Sequence, residues 1–191
     1  MTQQRNFWMR WRVRTGYLVA VIYWLLVTPA PRSIFLGFIV ALFGLVIRGA
    51  ASGYLRKYES LATSGPYAIT RNPLYFGSGF LALGFAIAGG SWPAGILVFA
   101  YFAIFYYPVM RNEESDLRQR YGASFDDYAA RVPLFFPRIT RTASESGVVT
   151  GTRSFSWPQY LRNREYRALV GTVAGLGIVW LRMWIRAKWG H

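Results

Sequence analysis

RNPLYFGSGFLALGFAIAGGSWPAGILVFAYFAIFYYPVMRNEE, residues 71–114, is the stretch on which the fold turns. Residues 72–110 contain no Asp, Glu, Lys or Arg. A soluble domain rarely holds so long an uncharged run, whereas two membrane-crossing helices of about 20 apolar residues each demand one. Gly89-Gly90-Ser91-Trp92-Pro93 divides the run. The spacing predicts one span over 74–90 and another over 94–110. A turn this short makes the two helices antiparallel, so their outer ends emerge on one face of the membrane. Arg71-Asn72-Pro73-Leu74-Tyr75 then lies beside Arg111-Asn112-Glu113-Glu114.

Working outward, an apolar stretch over 33–52 predicts an earlier span, separated by Pro29-Ala30-Pro31-Arg32 from a first span at about 15–30. Trp8, Trp11 and Arg14 precede that span as interfacial anchors. Downstream, 113–121 reads as a separate polar helix with Glu114–Arg118 and Asp116–Arg120 pairs at i,i+4. Gly122 stops it. Ser124 and Asp127 form a capping-box-like start for a second short helix. Phe125, Tyr128 and Val132 share one face of it, and Pro133 and Pro137 end the unit. Residues 140–156 are rich in Ser, Thr and Gly and read as a linker. The apolar run 168–180, flanked by Arg and Lys, is a fifth span or an interfacial helix.

The expected fold is therefore all-α: a polytopic membrane helical bundle of about five spans with cytoplasmic loops and short helices. Its units are a membrane domain over 1–139, a linker over 140–156 and a C-terminal basic and apolar helix over 157–191.

Composition agrees. Of 191 residues, 53% are hydrophobic and only 16% charged, below the roughly 25% of soluble domains. With no Cys, disulfide scaffolds and thiolate metal sites are excluded, and with one His, at position 191, so are multi-His metal sites and Ser-His-Asp chemistry. No metal site is expected. The net charge of +14 suggests nucleic acid in isolation, but basic residues grouped around apolar runs read as positive-inside loops on anionic lipid. An inside N-terminus puts most of the basic residues on the cytoplasmic side. The C-terminal cluster Arg182, Arg186 and Lys188 is the misfit.

Five of the eight acidic residues fall within 113–127. Two adjacent carboxylates at a membrane-facing helix end serve either as a solvated helix start or as part of a site. Carboxylates suit ribose hydroxyls or an ammonium, aromatic rings suit a flat base or a sulfonium, and Arg suits a phosphate or carboxylate. No Walker loop and no G-x-G-x-x-G is present. A nucleotide-like cofactor would thus be held by helix ends and loops.

Ser64-Gly65-Pro66-Tyr67, Arg71-Asn72-Pro73-Leu74-Tyr75-Phe76-Gly77, Glu113-Glu114-Ser115-Asp116-Leu117, Tyr121-Gly122, Phe125, Tyr128, Arg131-Val132-Pro133 and Pro137 occur in that order. Together they resemble the isoprenylcysteine carboxyl methyltransferase family of integral membrane methyltransferases and the related phospholipid N-methyltransferases. The resemblance covers residues 52–138. It implies S-adenosyl-L-methionine as methyl donor, held by Leu61, Ala62, Tyr67, Asn72, Pro73, Leu74, Tyr75 and Glu113, and a lipid or lipophilic small molecule as acceptor. It also implies a prokaryotic inner-membrane protein with a cytoplasmic site.

Two positions depart from the prenylcysteine enzymes. Asn72 stands where they have His, and Val109 where the eukaryotic ones have a substrate-binding Arg. Arg71 and Arg131 are left as the candidate catalytic residues, holding an anionic head group. Two other readings are an NADPH-dependent relative of the sterol reductases and a non-enzymatic scaffold binding anionic lipid.

Overall fold

Small residues recur along the second apolar run at Gly37, Ala41 and Gly44, and along the third at Gly77, Gly84 and Ala88. Inside a bilayer, helices gain little from hiding apolar surface, so they associate where small side chains let backbones approach. A computed structural model, describing residues 2–56, 59–138 and 154–190 with side chains from Arg14 onward, shows these two stripes face to face. A Cβ added to Gly44 would sit 2.6 Å from the Gly77 carbonyl oxygen, and one on Gly84 2.7 Å from that of Gly37.

Among the described residues there are seven α-helices and no strand. They are α1 (Thr2–Leu26), α2 (Pro31–Tyr54), α3 (Pro73–Ala88), α4 (Trp92–Tyr121), α5 (Ala123–Arg131), α6 (Trp157–Arg162) and α7 (Tyr166–Trp189), with one 3-10 turn at Gly65–Ala68. The protein is a polytopic helical membrane bundle. α2, α4 and α7 are long and apolar enough to cross a membrane, and Arg14–Leu26 and α3 are shorter apolar helices. Large apolar side chains point outward along them, Phe35 and Val170 being 63% exposed each, as lipid-facing surfaces do.

The two tight turns meet at one end of the bundle. Thr28 donates its N–H to the Gly89 carbonyl (2.9 Å) and its hydroxyl to that of Gly90 (2.9 Å). Gly90 has φ +61°, and a Cβ there would come within 2.6 Å of the Thr28 carbonyl oxygen, so only Gly makes this approach without strain. α3 and α4 are antiparallel, as the short turn requires.

The fourth span and the polar helix expected at 113–121 are one continuous helix, α4. Pro108 lies inside it and forfeits one backbone donor without ending it. The capping box expected at Ser124 and Asp127 does not form. Gly122, at φ +52°, is the N-cap of α5 and lends no side chain. Phe125 and Tyr128 are buried on the expected face.

α7 runs alongside α2 and α3. Leu176 and Val179 pack with Ala88, Phe85 and Tyr23, and Gly175 lets the Phe85 ring against its backbone. Glu165 just before its first turn reaches Arg48, while Arg186 near its last turn donates to the Val27 carbonyl (3.3 Å). The helix therefore runs along α2 from its start to the level of Arg48. α6 caps α2: Gln159 Nε2 donates to the Leu55 carbonyl, and Asn163 Nδ2 to those of Ser52 and Leu55, all at 2.8 Å. These carbonyls are ones a helix C-terminus leaves without partners. Most of the expected 140–156 linker, and the interfacial roles expected of Trp8 and Trp11, fall outside what is described.

Candidate functional site

At the end opposite the two tight turns, the backbone of the loop before α3 is bound to the segment after α5. Arg71 N–H donates to the Pro133 carbonyl (2.9 Å) and Arg138 N–H to that of Ile69 (2.9 Å). The Thr70 hydroxyl donates to the Phe135 carbonyl (2.9 Å), and Asn72 Nδ2 to that of Leu134 (3.0 Å). Asn72 is 8% exposed and its side chain spans this junction. Pro73 is fully buried at the first position of α3, where its missing N–H costs nothing.

Two layers of contact join α3 to α4 above this junction. In the outer layer the Tyr75 hydroxyl donates to Glu113 Oε1 at 2.7 Å, and the Tyr75 ring meets Tyr106 edge-on at 5.8 Å. Glu113 is exposed. In the inner layer Glu114, 5% exposed, takes Arg71 Nη1 on Oε1 and Arg111 Nη1 on Oε2 at 2.8 Å. The adjacent carboxylates thus divide, one facing out with aromatic company, the other buried between two guanidinium groups.

The expected Glu114–Arg118 pair does not form. Arg118 instead clamps Asp126 of α5 at 2.6 Å, because the chain reverses at Gly122 and brings α5 back against it. The hairpin sets residue 71 beside residue 114, and burial between α3 and α4 favours that pair over the local i,i+4 one.

The remaining predicted residues differ in burial. Leu61, Ala62 and Leu74 are half-buried. Tyr67 is buried in the 3-10 turn, and its carbonyl accepts the Tyr128 hydroxyl at 2.7 Å. Burial pushes the Tyr67 hydroxyl up from the ordinary tyrosine range, Tyr128, Glu113 and Glu165 add to this, and Arg48 opposes it. Burial raises Tyr128 likewise, with Arg71 opposing. Arg131 is exposed, and its Nε donates to its own helix at the Asp127 carbonyl (3.0 Å). The structure brings Tyr75, Asn72, Pro73, Arg71 and Glu113 to one end of the α3–α4 hairpin and leaves the Arg131 side chain on the surface of α5.

Sequence reasoning passed over Arg48. It lies in an apolar helix, and its Nε meets Glu165 Oε1 at 2.5 Å. Its Nη1 donates to the Leu74 carbonyl (3.2 Å) and to the Ser78 hydroxyl. An ionisable residue within a span is itself the signal. Among the described residues no three His, Cys, Asp or Glu side chains converge as a metal site would need.

The profile of the phospholipid methyltransferase family matches residues 15–124, more than half of the chain. The chain belongs to the phospholipid methyltransferase family. Curated relatives include the nickel-cobalt-cadmium resistance protein NccN of Alcaligenes xylosoxydans xylosoxydans, 41% identical over 102 residues, 52% of this chain and 46% of the relative. The cobalt-zinc-cadmium resistance protein CzcN of Cupriavidus metallidurans is 38% identical over the same shares. Methanethiol S-methyltransferase 2 of Bradyrhizobium diazoefficiens is 38% identical over 85 residues, 42% of this chain and 30% of the relative. The chain thus matches less than half the length of each of these curated relatives. No solved structure matches it. For this phospholipid methyltransferase family member the resemblance read from the ordered motifs holds, and the family match supports a membrane methyltransferase.

Proposed function

We propose that the protein is an integral membrane methyltransferase that uses S-adenosyl-L-methionine and acts on a lipid or lipophilic small molecule. The observation carrying this reading is the Tyr75–Glu113 hydrogen bond, which joins two separate sequence motifs at one end of the hairpin. The residues fit the donor. An exposed carboxylate oriented by a phenol suits ribose hydroxyls or an ammonium, and the paired rings of Tyr75 and Tyr106 suit a sulfonium face-on. When bound, the donor would supply an already activated methyl group, so little acid–base catalysis is required of the protein.

The protein's own work is then alignment and exclusion of water. Glu113 would hold polar groups of the donor, with Tyr75 fixing its rotamer. Leu61, Ala62 and Leu74 would wall the pocket. The Arg71–Glu114 pair and the Asn72 side chain would keep the start of α3 in register with α4, so Arg71 would act on the acceptor only through that placement. Arg131, exposed, would meet a head group at the surface. The metal-resistance names of two relatives describe those proteins; the methyltransferase name of the third accords with this reading.

Binding to the purified protein in detergent tests the proposal. S-adenosylhomocysteine should bind and NADPH should not. Binding of NADPH alone would favour the reductase reading, and binding of neither would favour a scaffold.

A further inference from the structure

A cleft of about 330 Å³ lies between α2, α3, α4 and the start of α7. Its two ends differ. Arg48, Ser78 and Tyr106 line one, and Tyr106 is the ring that meets Tyr75 at the proposed donor site. Leu81, Phe85 and Val98 line the other, deeper toward the α3–α4 turn. The polar end is thus at the level of the donor site and the apolar end runs into the bilayer core. A molecule lying in this cleft would present its head to the reacting end and its body to Val98 and Phe85.

The charge at the head end is unusual for its place. Arg48 Nε and Nη1 are committed to Glu165, Ser78 and the Leu74 carbonyl; among the described residues Nη2 has no partner. Glu165 follows Arg164, whose φ of +55° is a left-handed conformation that costs a non-glycine residue about 1 kcal/mol or more. Burial raises the Tyr67 hydroxyl, and on it Glu113 and Arg48 act in opposite senses.

Resting on the methyltransferase reading, we propose that this cleft holds the methyl acceptor, and that the acceptor is a lipophilic weak acid, a thiol or a phenol, whose anion Arg48 stabilises. The acid's proton leaves to solvent before transfer. A lone pair of the resulting sulfur or oxygen anion then forms the bond to the methyl carbon as the methyl–sulfonium bond breaks, and that electron pair stays on the donor sulfur. Both products are less charged at the reacting atoms than the reactants. A lipid amine fits less well, because its methylation gathers positive charge beside a guanidinium. Glu165 acts as a positioning residue that partly neutralises Arg48.

A 4-alkyl-2-nitrophenol tests this without turnover, because its absorbance reports its ionisation while bound. With the protein in detergent and no donor present, the bound phenol should titrate about one unit or more lower in the wild type than in Arg48→Gln. Glu165→Gln should shift it further down, a response of opposite sign that a merely structural ion pair would not give. Val98→Trp should block the cleft, abolishing phenol binding while S-adenosylhomocysteine still binds. An alkanethiol should displace the phenol at least tenfold more effectively than the alkylamine of the same chain. Equal titration in wild type and Arg48→Gln, unchanged phenol binding in Val98→Trp, or equal competition by the amine would each overturn the inference. If S-adenosylhomocysteine fails to bind the wild type, the methyltransferase reading falls separately, since the phenol titration is read without it.

Discussion

Arg71 and Glu114 form a buried ion pair that fastens the first turn of α3 to α4, with side-chain exposures of 15% and 7%. The carboxylate's second oxygen takes Arg111, so the charge is held from both sides. Removing one partner leaves an uncompensated buried charge, which costs about 3–5 kcal/mol, while exchanging both for apolar residues of similar size costs far less. Glu114→Ala should therefore lower unfolding stability by about that amount, and Arg71→Met combined with Glu114→Leu should recover most of it. Thermal unfolding in detergent measures both. Equal losses in the single and double variants would show that the pair does not act as a unit.

Glu113, its neighbour, should behave in the opposite way. Its side chain is exposed, so Glu113→Ala should leave stability within about 0.5 kcal/mol of the wild type. With Glu113 in its proposed role of holding the donor, losing that charge-assisted hydrogen bond should weaken S-adenosylhomocysteine by roughly 10- to 100-fold. Tyr75→Phe removes only the hydroxyl that orients the carboxylate and should cost about 10-fold or less. Calorimetric titration with the donor product separates these from the Glu114 effect.

Gly44 should be intolerant of any side chain. Its Cβ would stand 2.6 Å from the Gly77 carbonyl, backbone against backbone, with no flexible atom to yield. Gly44→Ala should destabilise by about 1–3 kcal/mol, the range for overpacked interiors, and Gly44→Leu should prevent the α2–α3 pair from forming. Gly171, with nothing within 4 Å of its Cβ, is the control, and Gly171→Ala should be neutral or slightly stabilising.

Tyr67 and Tyr128 give the fold a sensitivity to alkali. Both hydroxyls are raised by burial above the ordinary value of 10.0. The neutral forms are favoured in the folded protein, so their contribution is complete below pH 10 and declines as the unfolded chain, but not the folded one, ionises above it. Stability should fall as pH rises beyond 10, and Tyr128→Phe should flatten that fall while losing the bond to the Tyr67 carbonyl, at about 1 kcal/mol. A pH series of unfolding curves shows the change of slope.

The chain has no Cys, so single Cys residues report topology without background. Trp92 and Asn112 are both exposed and lie at opposite ends of the apolar part of α4. An impermeant thiol reagent should label Trp92→Cys and Asn112→Cys from opposite sides of sealed vesicles. Labelling of both from one side would remove α4 as a span.

The hairpin and its consequence were legible because they need only two facts, an uncharged run and a turn too short to permit anything but reversal. The meeting of Tyr75 with Glu113 follows from them. Pairings set by tertiary reversal were not. Local spacing favours Glu114 with Arg118, yet the fold gives Glu114 to Arg71 and Arg118 to Asp126, because burial between α3 and α4 outweighs an exposed i,i+4 pair worth a few tenths of a kcal/mol. Asn72 and Tyr67 read as pocket residues from the family motif, and the structure shows their buried contacts to be with the backbone of 133–135 and with Tyr128. The capping of α2 by Gln159 and Asn163 left no trace in either segment, since side chains that meet terminal carbonyls across 100 residues have no spacing rule.

The continuity of α4 and the shortness of α3 bear on how the protein sits in a bilayer. At 1.5 Å per residue, the 16 residues of α3 span about 24 Å, whereas the 30 of α4 span about 45 Å. A hydrocarbon layer about 30 Å deep is thicker than the first and thinner than the second. Only the apolar part of α4, residues 92–110 or about 28 Å, matches such a layer, and its charged end 111–121 continues past it, whereas α3 falls short. A span shorter than the layer is accommodated by local thinning, by snorkelling of its flanking residues or by association, and each of these acts at the end of α3 that carries Tyr75. Tyr75 meets Glu113 at 2.7 Å, so lipid chain length is a physical variable to which this end of the hairpin is exposed.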